Sequence, residues 1–148
     1  MRRKIFIFLA TFLAFSFQLS LAASQTLTVK IHNIKSSPQG VIRIALFGDE
    51  KGFRAEKYLF DMSFDKSRVK SGKLTVNIPV ECGVYGVTVL DDENNNGKMD
   101  YNMFGIPKKG FGFSNFVLKK LRKPRFKDFS FTVSGKENKN IDVKMMYL

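Results

Sequence analysis

The stretch Leu74-Thr-Val-Asn-Ile-Pro-Val80 indicates the fold class, because apolar and polar side chains alternate along its whole length. A period of two is typical of a β-strand with one buried face, and it places Val76 inside and Thr75 outside. Related patterns recur along the chain, as alternation in four segments and as a denser apolar run in a fifth: residues 27–32, 42–47, 129–133, 141–145 and 84–90. A weaker seventh candidate covers residues 58–64.

Turn-forming sequences separate these segments, for example Ser-Pro-Gln-Gly at 37–40. No helical period is sustained, although residues 49–56 are expected to form a short helix within a loop. The pattern predicts an all-β fold, an antiparallel Ig-like β-sandwich of about seven strands, with a small closed barrel as the alternative. Residues 91–127 then form one long loop insertion. So long a strand-free segment is uncommon in a compact domain unless it carries a function.

The first 22 residues are predicted to be a secretory signal peptide. Three basic residues at positions 2–4 precede an apolar run at 5–17, and small residues follow at Ser20 and Ala22. This layout is typical of export signals, and the apolar run is short for a membrane span. An uncleaved N-terminal anchor is the alternative. We expect cleavage near Ala22, which leaves residues 23–148 as a single periplasmic or secreted domain without a transmembrane segment.

Composition narrows the classes of function. The chain has 148 residues, enough for one domain, and its net charge falls from +12 to +9 once the basic residues at 2–4 are removed. Export argues against nucleic acid and favours a protein, a glycan or an anionic envelope surface as the partner. A single cysteine and a single histidine argue against a disulfide framework, a Cys/His zinc site and the common nucleophilic triads. Cys82 is expected to be buried or without a role, with an intermolecular disulfide as the alternative.

The segment from Asp92 to Asp100 has the spacing of a calcium-binding loop. Counted from Asp92, oxygen-bearing side chains stand at positions 1, 3, 5 and 9, a glycine at position 6 and a backbone carbonyl at position 7. Calcium accepts six to eight hard oxygen ligands, neutral amides among them, whereas zinc and copper prefer nitrogen or sulfur. The predicted calcium ligands are Asp92, Asn94, Asn96, Lys98 through its carbonyl, and Asp100.

The same segment departs from the EF-hand, the helix–loop–helix calcium site. Position 12 is Met103 instead of a bidentate glutamate, and a strand rather than a helix precedes the loop. Any further ligands would therefore come from elsewhere, such as Asp91 or a backbone carbonyl. The alternative is a metal-free hairpin turn at Asn96-Gly97.

Several short motifs occur in an order that resembles a known family: Gly40-Val-Ile-Arg-Ile-Ala-Leu-Phe47, Gly52-Phe53, Gly83-Val-Tyr85, the loop 92–100, Gly105-Ile-Pro107, Gly110-Phe-Gly-Phe-Ser-Asn115 and the aromatic block 126–131. The run from Thr26 to Leu148 resembles small exported bacterial proteins catalogued as domain of unknown function 2141, although Cys82 stands where that family usually has proline. The family has no settled activity. Its pattern also looks like transthyretin-like and collagen-adhesin B-type sandwiches, some of which hold structural calcium in a similar loop. By analogy, the resemblance implies the same role for the oxygen-bearing side chains of loop 92–100.

Three functions are compatible with these observations. The favoured hypothesis is a non-catalytic binding or structural domain stabilised by calcium in the loop 92–100. The second is a metal-assisted hydrolase that uses Asp91, Asp92, Asp100 and Ser114, although the sequence offers no clear positioned acid or base.

The third hypothesis is a binder of an anionic membrane or glycolipid surface through the basic segment 108–127. Eight cations and no acid occur there: Lys108, Lys109, Lys119, Lys120, Arg122, Lys123, Arg125 and Lys127. Three phenylalanines, Phe111, Phe113 and Phe116, are then expected either to insert into lipid or to cover the sandwich core. A plain solvated surface is the alternative for the cations.

Overall fold

Eight strands form two sheets in the parts of the chain described by the computed structural model, residues 25–120, 122–135 and 138–148. The predicted signal peptide and its cleavage site lie outside these residues. The strands are β1 Gln25–His32, β2 Val41–Phe47, β3 Phe60–Asp65, β4 Leu74–Val80, β5 Gly83–Asp92, β6 Phe111–Phe113, β7 Phe131–Val133 and β8 Lys139–Lys144.

The smaller sheet has the order β4-β1-β8, and the larger has the order β3-β2-β5-β6, with β7 paired to the start of β5. Neighbouring strands are antiparallel except β1 and β8, which run parallel. Alternation along the strands sends one apolar row of each sheet into a shared aliphatic core, as the sequence predicts. Val76 is buried and Thr75 exposed, which confirms the predicted faces. The all-β, sandwich-like fold class is thus confirmed.

The predicted long insertion is not free of strands. Phe111–Phe113 forms β6 and pairs with Thr88–Leu90 of β5. The alternation predicted for residues 129–133 is also partly wrong, because Phe126–Phe129 forms a short helix, α2, and β7 begins only at Phe131. The helical turn places Phe126 and Phe129 on one side, against β5, where Gly86 has no side chain to obstruct them.

The short helix predicted within residues 49–56 is confirmed as α1, Glu50–Arg54. The Asp49 carboxylate caps it by accepting a hydrogen bond from the Gly52 N–H over 2.6 Å. Helix α1 brings Phe53 to the outer face of the larger sheet. There it packs edge-on against Phe47 and Phe129, with ring centroids 5.4 and 4.9 Å apart.

The outer face of the larger sheet therefore carries a second, aromatic core: Phe47, Phe53, Phe111, Phe113, Phe126 and Phe129. Of the two roles considered for Phe111 and Phe113, covering the sandwich agrees with their burial in this cluster. Cys82 is exposed, which excludes the burial expected as one possibility, whereas the absence of a role stays a prediction. Among the described residues, no helix is long and apolar enough to cross a membrane.

Candidate functional site

Asp91 and Asp92 end β5, and because they are consecutive residues of a strand they point to opposite faces of the larger sheet. Asp91 faces the core, where Lys66 Nζ lies 2.8 and 3.0 Å from its two carboxylate oxygens. The Tyr147 hydroxyl donates to the same carboxylate over 2.8 Å. Burial and this acceptor raise the pKa of Tyr147 above its usual value. Asp91 is therefore turned away from the loop 92–100 and cannot supply it with a further ligand.

Asp92 faces outward yet is fully buried, because four donors surround its carboxylate. Oδ2 accepts from Arg43 Nε at 2.7 Å and from the Gly97 N–H at 2.8 Å. Oδ1 accepts from Lys109 Nζ at 2.7 Å and from the Asn96 N–H at 3.3 Å. The loop thus folds back around the end of its own strand.

The protonation of Asp92 follows from these contacts. Burial alone would raise its pKa, but the hydrogen bonds from Lys109, Arg43 and the Gly97 N–H outweigh that effect and lower the pKa to about 2. Hydrogen bonds from Asn96 and Lys109 likewise lower the pKa of the half-exposed Asp100. Both loop carboxylates are therefore charged at neutral pH.

Lys109 brings together most of the predicted ligand atoms. Its ammonium nitrogen donates to Asp92 Oδ1 at 2.7 Å, Asn96 Oδ1 at 2.6 Å and the Lys98 carbonyl at 2.7 Å. Asp100 Oδ2 lies 3.1 Å from the same nitrogen. The Lys109 side chain is only 4% exposed. Positions 1, 5, 7 and 9 of the calcium-like spacing therefore converge on one point, which the ammonium occupies.

Asn94, the fifth predicted ligand, is placed differently. Its amide nitrogen donates to Asp100 Oδ2 over 2.9 Å, so it holds another loop side chain instead of joining the oxygens around Lys109. Gly97, at position 6 of the spacing, has φ +80°, a left-handed conformation that glycine adopts without steric cost. In the described residues, no group of three or more histidine, cysteine or acidic side chains is placed to hold a metal. Calcium in this loop stays a prediction.

The side chains considered for a hydrolase are not all brought together: Asp92 and Asp100 converge on Lys109, but Asp91 and Ser114 lie elsewhere. Asp91 and Asp92 lie on opposite faces, as described above. The Ser114 hydroxyl is buried and donates to the Phe129 carbonyl over 2.6 Å, while it accepts from the Val87 N–H over 2.9 Å. Ser114 thus joins β5 to α2 through backbone groups.

The basic segment 108–127 does not form a uniform positive surface. Lys109 is buried among carboxylates, and Arg125 pairs with Asp128 at 3.2 Å. Lys123 Nζ lies 4.9 Å from the centroid of the Phe53 ring. The remaining cations of this segment are exposed: Lys108, Lys119, Lys120, Arg122 and Lys127.

A cleft of about 570 Å³ lies over the outer face of the larger sheet, a size within the range of small-molecule sites. Its floor is apolar and includes Ala45, Leu90 and Phe113. The loop 97–107 forms one wall, and residues 122–124 form another. Among the described residues, the cleft is lined by four cations and two acids: Arg43, Lys98, Arg122 and Lys123, and Glu56 and Asp61.

Sequence reasoning missed Lys109 and Arg43 as parts of this site. Lys109 stands within the basic segment of the sequence and lies just before β6, whose three residues are too few to establish a period that would predict the direction of its side chain. In the sequence, Arg43 stands out only as a polar residue of an alternating strand. It pairs with Leu90 across β2 and β5, which makes Asp92 its diagonal neighbour. That contact depends on strand register, which the sequence patterns did not define.

Comparison with known proteins identifies the family. A family model described as "Uncharacterized protein conserved in bacteria (DUF2141)" matches residues 29–142, which is most of the chain. No curated protein and no solved structure matches the chain. The chain therefore belongs to this family of uncharacterised bacterial proteins, as its motifs predict.

Proposed function

We propose that this chain is an exported, non-catalytic binding domain that takes a small apolar molecule with an anionic group in the cleft over the larger sheet. The observation that carries the proposal is the cleft itself, an apolar floor between two loop walls. Export is supported by the layout of residues 1–22. A non-catalytic role is supported by Asp91, Asp92 and Ser114, whose polar atoms are engaged in structural hydrogen bonds.

The charges of the cleft favour an anion. Lys98, Arg122 and Lys123 line it, and in the part of the chain that the structure describes they outnumber the two acids there, Glu56 and Asp61. The fourth cation, Arg43, is already paired with Asp92, so we assign it to the structure of the wall. A ligand with a hydrocarbon part and one carboxylate or sulfonate would bury its hydrocarbon on the apolar floor. Its charge would then lie near Lys98, Lys123 and Arg122.

Fluorescence titration with anilinonaphthalene sulfonate tests this proposal, with dodecanoate and dodecyltrimethylammonium as competitors. We expect saturable binding that dodecanoate displaces and the cationic competitor does not. Ala45→Leu should weaken binding because it fills the floor, whereas Thr75→Leu, on the exposed side of β4, should not. A Lys98→Glu/Lys123→Glu double variant should bind roughly tenfold more weakly, a loss of about 1.4 kcal/mol. Its control is Lys127→Glu, outside the cleft.

Two results would contradict the proposal. One is the absence of saturable binding by the folded wild-type protein. The other is equal weakening by Ala45→Leu and Thr75→Leu, which would place the probe away from the cleft.

A further inference from the structure

The oxygens of the loop 92–100 surround a cation that belongs to the chain itself. A lysine ammonium has three N–H donors, and Lys109 uses all three on Asp92, Asn96 and the Lys98 carbonyl. The fourth oxygen, from Asp100, completes the group at 3.1 Å. These atoms belong to four of the five residues whose spacing matches a calcium loop.

The charges around this point are already balanced. Asp92 and Asp100 contribute two negative charges, and Lys109 and Arg43 contribute two positive charges. Calcium coordinates oxygens at 2.3–2.6 Å, so it would need the same oxygens that now lie 2.6–3.1 Å from the ammonium nitrogen. A metal ion and the Lys109 ammonium therefore exclude one another.

We propose that Lys109 is the resident cation of this loop, a tethered ammonium in the position that calcium would take. The loop then folds without a metal, and the wild-type chain has no stabilising calcium site there. This inference does not depend on a ligand in the cleft. It does explain how one wall of the cleft is fixed, because the bond to the Lys98 carbonyl holds the start of the loop 97–107.

Thermal unfolding of the full chain in chelator and in 10 mM calcium chloride tests the proposal. We expect the wild-type Tm to be the same in both. Lys109→Met keeps most of the length of the side chain but removes its charge, which leaves Asp92 and Asp100 with one cation fewer. Its Tm in chelator should fall by roughly 10 °C, and calcium should restore several degrees of this loss. Lys108→Met, the exposed neighbour, should behave as the wild type does.

Each outcome decides the matter. The proposal is overturned if calcium raises the wild-type Tm. It is also overturned if Lys109→Met and Lys108→Met have the same Tm in chelator. A lowered Tm that calcium does not raise also overturns it, because the vacated oxygens then do not form a cation site. Should Lys109→Met fail to fold even in calcium, calorimetry of the wild type decides: no calcium binding supports the proposal, and saturable binding at this loop overturns it.

Discussion

The surroundings of Asp91 and Asp92 are closely similar, but the two carboxylates lie on opposite sides of the larger sheet and contact different parts of the molecule. Both carboxylates are fully buried, and each lies 2.7–2.8 Å from the nitrogen of a buried lysine. Lys66 and Tyr147 hold Asp91 inside the sandwich, and so tie the segment after β3 and the C-terminal segment to β5. Lys109 and Arg43 hold Asp92 on the outer face, beside the cleft.

The comparison shows that adjacent residues of one strand can contribute separately to the stability of the core and to the shape of a binding site. One step along β5 turns the carboxylate from the core to the loop, because side chains alternate. The Asp91 pair lies in the core and away from the cleft, so its loss should affect mainly global stability. The Asp92 pair shapes the wall of the cleft, so its loss should also affect local order and ligand binding.

The largest expected effect follows from breaking the ion pair of Asp91 with Lys66, the inner pair. Asp91→Ala leaves the Lys66 ammonium buried without its partner, and the free energy of unfolding should fall by about 3–5 kcal/mol. Urea unfolding measures this loss. The Lys66→Met/Asp91→Leu double variant removes both charges and should recover much of it. If Asp91→Ala costs less than about 1 kcal/mol, the inner pair is not the buried ion pair described here.

The ion pair of Asp92 with Lys109, the outer pair, should make the free energy of unfolding depend on pH. The folded pKa of Asp92 is about 2, below the ordinary value of 3.8, so its stabilisation is complete above about pH 4 and is lost as pH falls towards 2. Asp92→Asn should therefore cost on the order of 2 kcal/mol at pH 7, and the gap to wild type should close between pH 4 and 2. Urea unfolding across this range measures it. Asp61→Asn, at an exposed carboxylate, serves as the control. A gap that stays constant below pH 4 would contradict the assigned contacts.

The smallest effect should come from Arg43, because its side chain is 31% exposed. Arg43→Met should lower the free energy of unfolding by about 1 kcal/mol, since Lys109 and the Gly97 N–H still hold Asp92. Thermal unfolding of Arg43→Met and of Asp92→Asn under the same conditions compares the two losses of stability. If the two variants lose the same stability, Arg43 rather than Lys109 is the main partner of Asp92.

Much of the fold could be predicted from the sequence, because alternation depends only on which side chains are buried. Val76 and Thr75 lie on the predicted faces, and the helix at 50–54 lies where it was expected. Strand β6 was missed because three residues, Phe111–Phe113, are too few to establish a period. The parallel pairing of β1 with β8 joins distant segments and has no local sequence signal.

The candidate site was predicted less completely. The spacing from Asp92 to Asp100 indicated oxygens that lie close together, four of the five residues converging on one point, since loop geometry is encoded locally by glycine and asparagine. The cation among them comes from Lys109, 17 residues after Asp92. Its position depends on β6 pairing with β5, a tertiary contact.

A crystal structure of the wild-type protein grown with 10 mM calcium chloride tests most directly which cation the loop 92–100 holds. We predict the Lys109 nitrogen within about 3 Å of Asp92 Oδ1, Asn96 Oδ1 and the Lys98 carbonyl, without a metal ion between them. A calcium ion bound to these oxygens at about 2.3–2.6 Å, with the Lys109 side chain turned away, would show that Lys109 is not the resident cation.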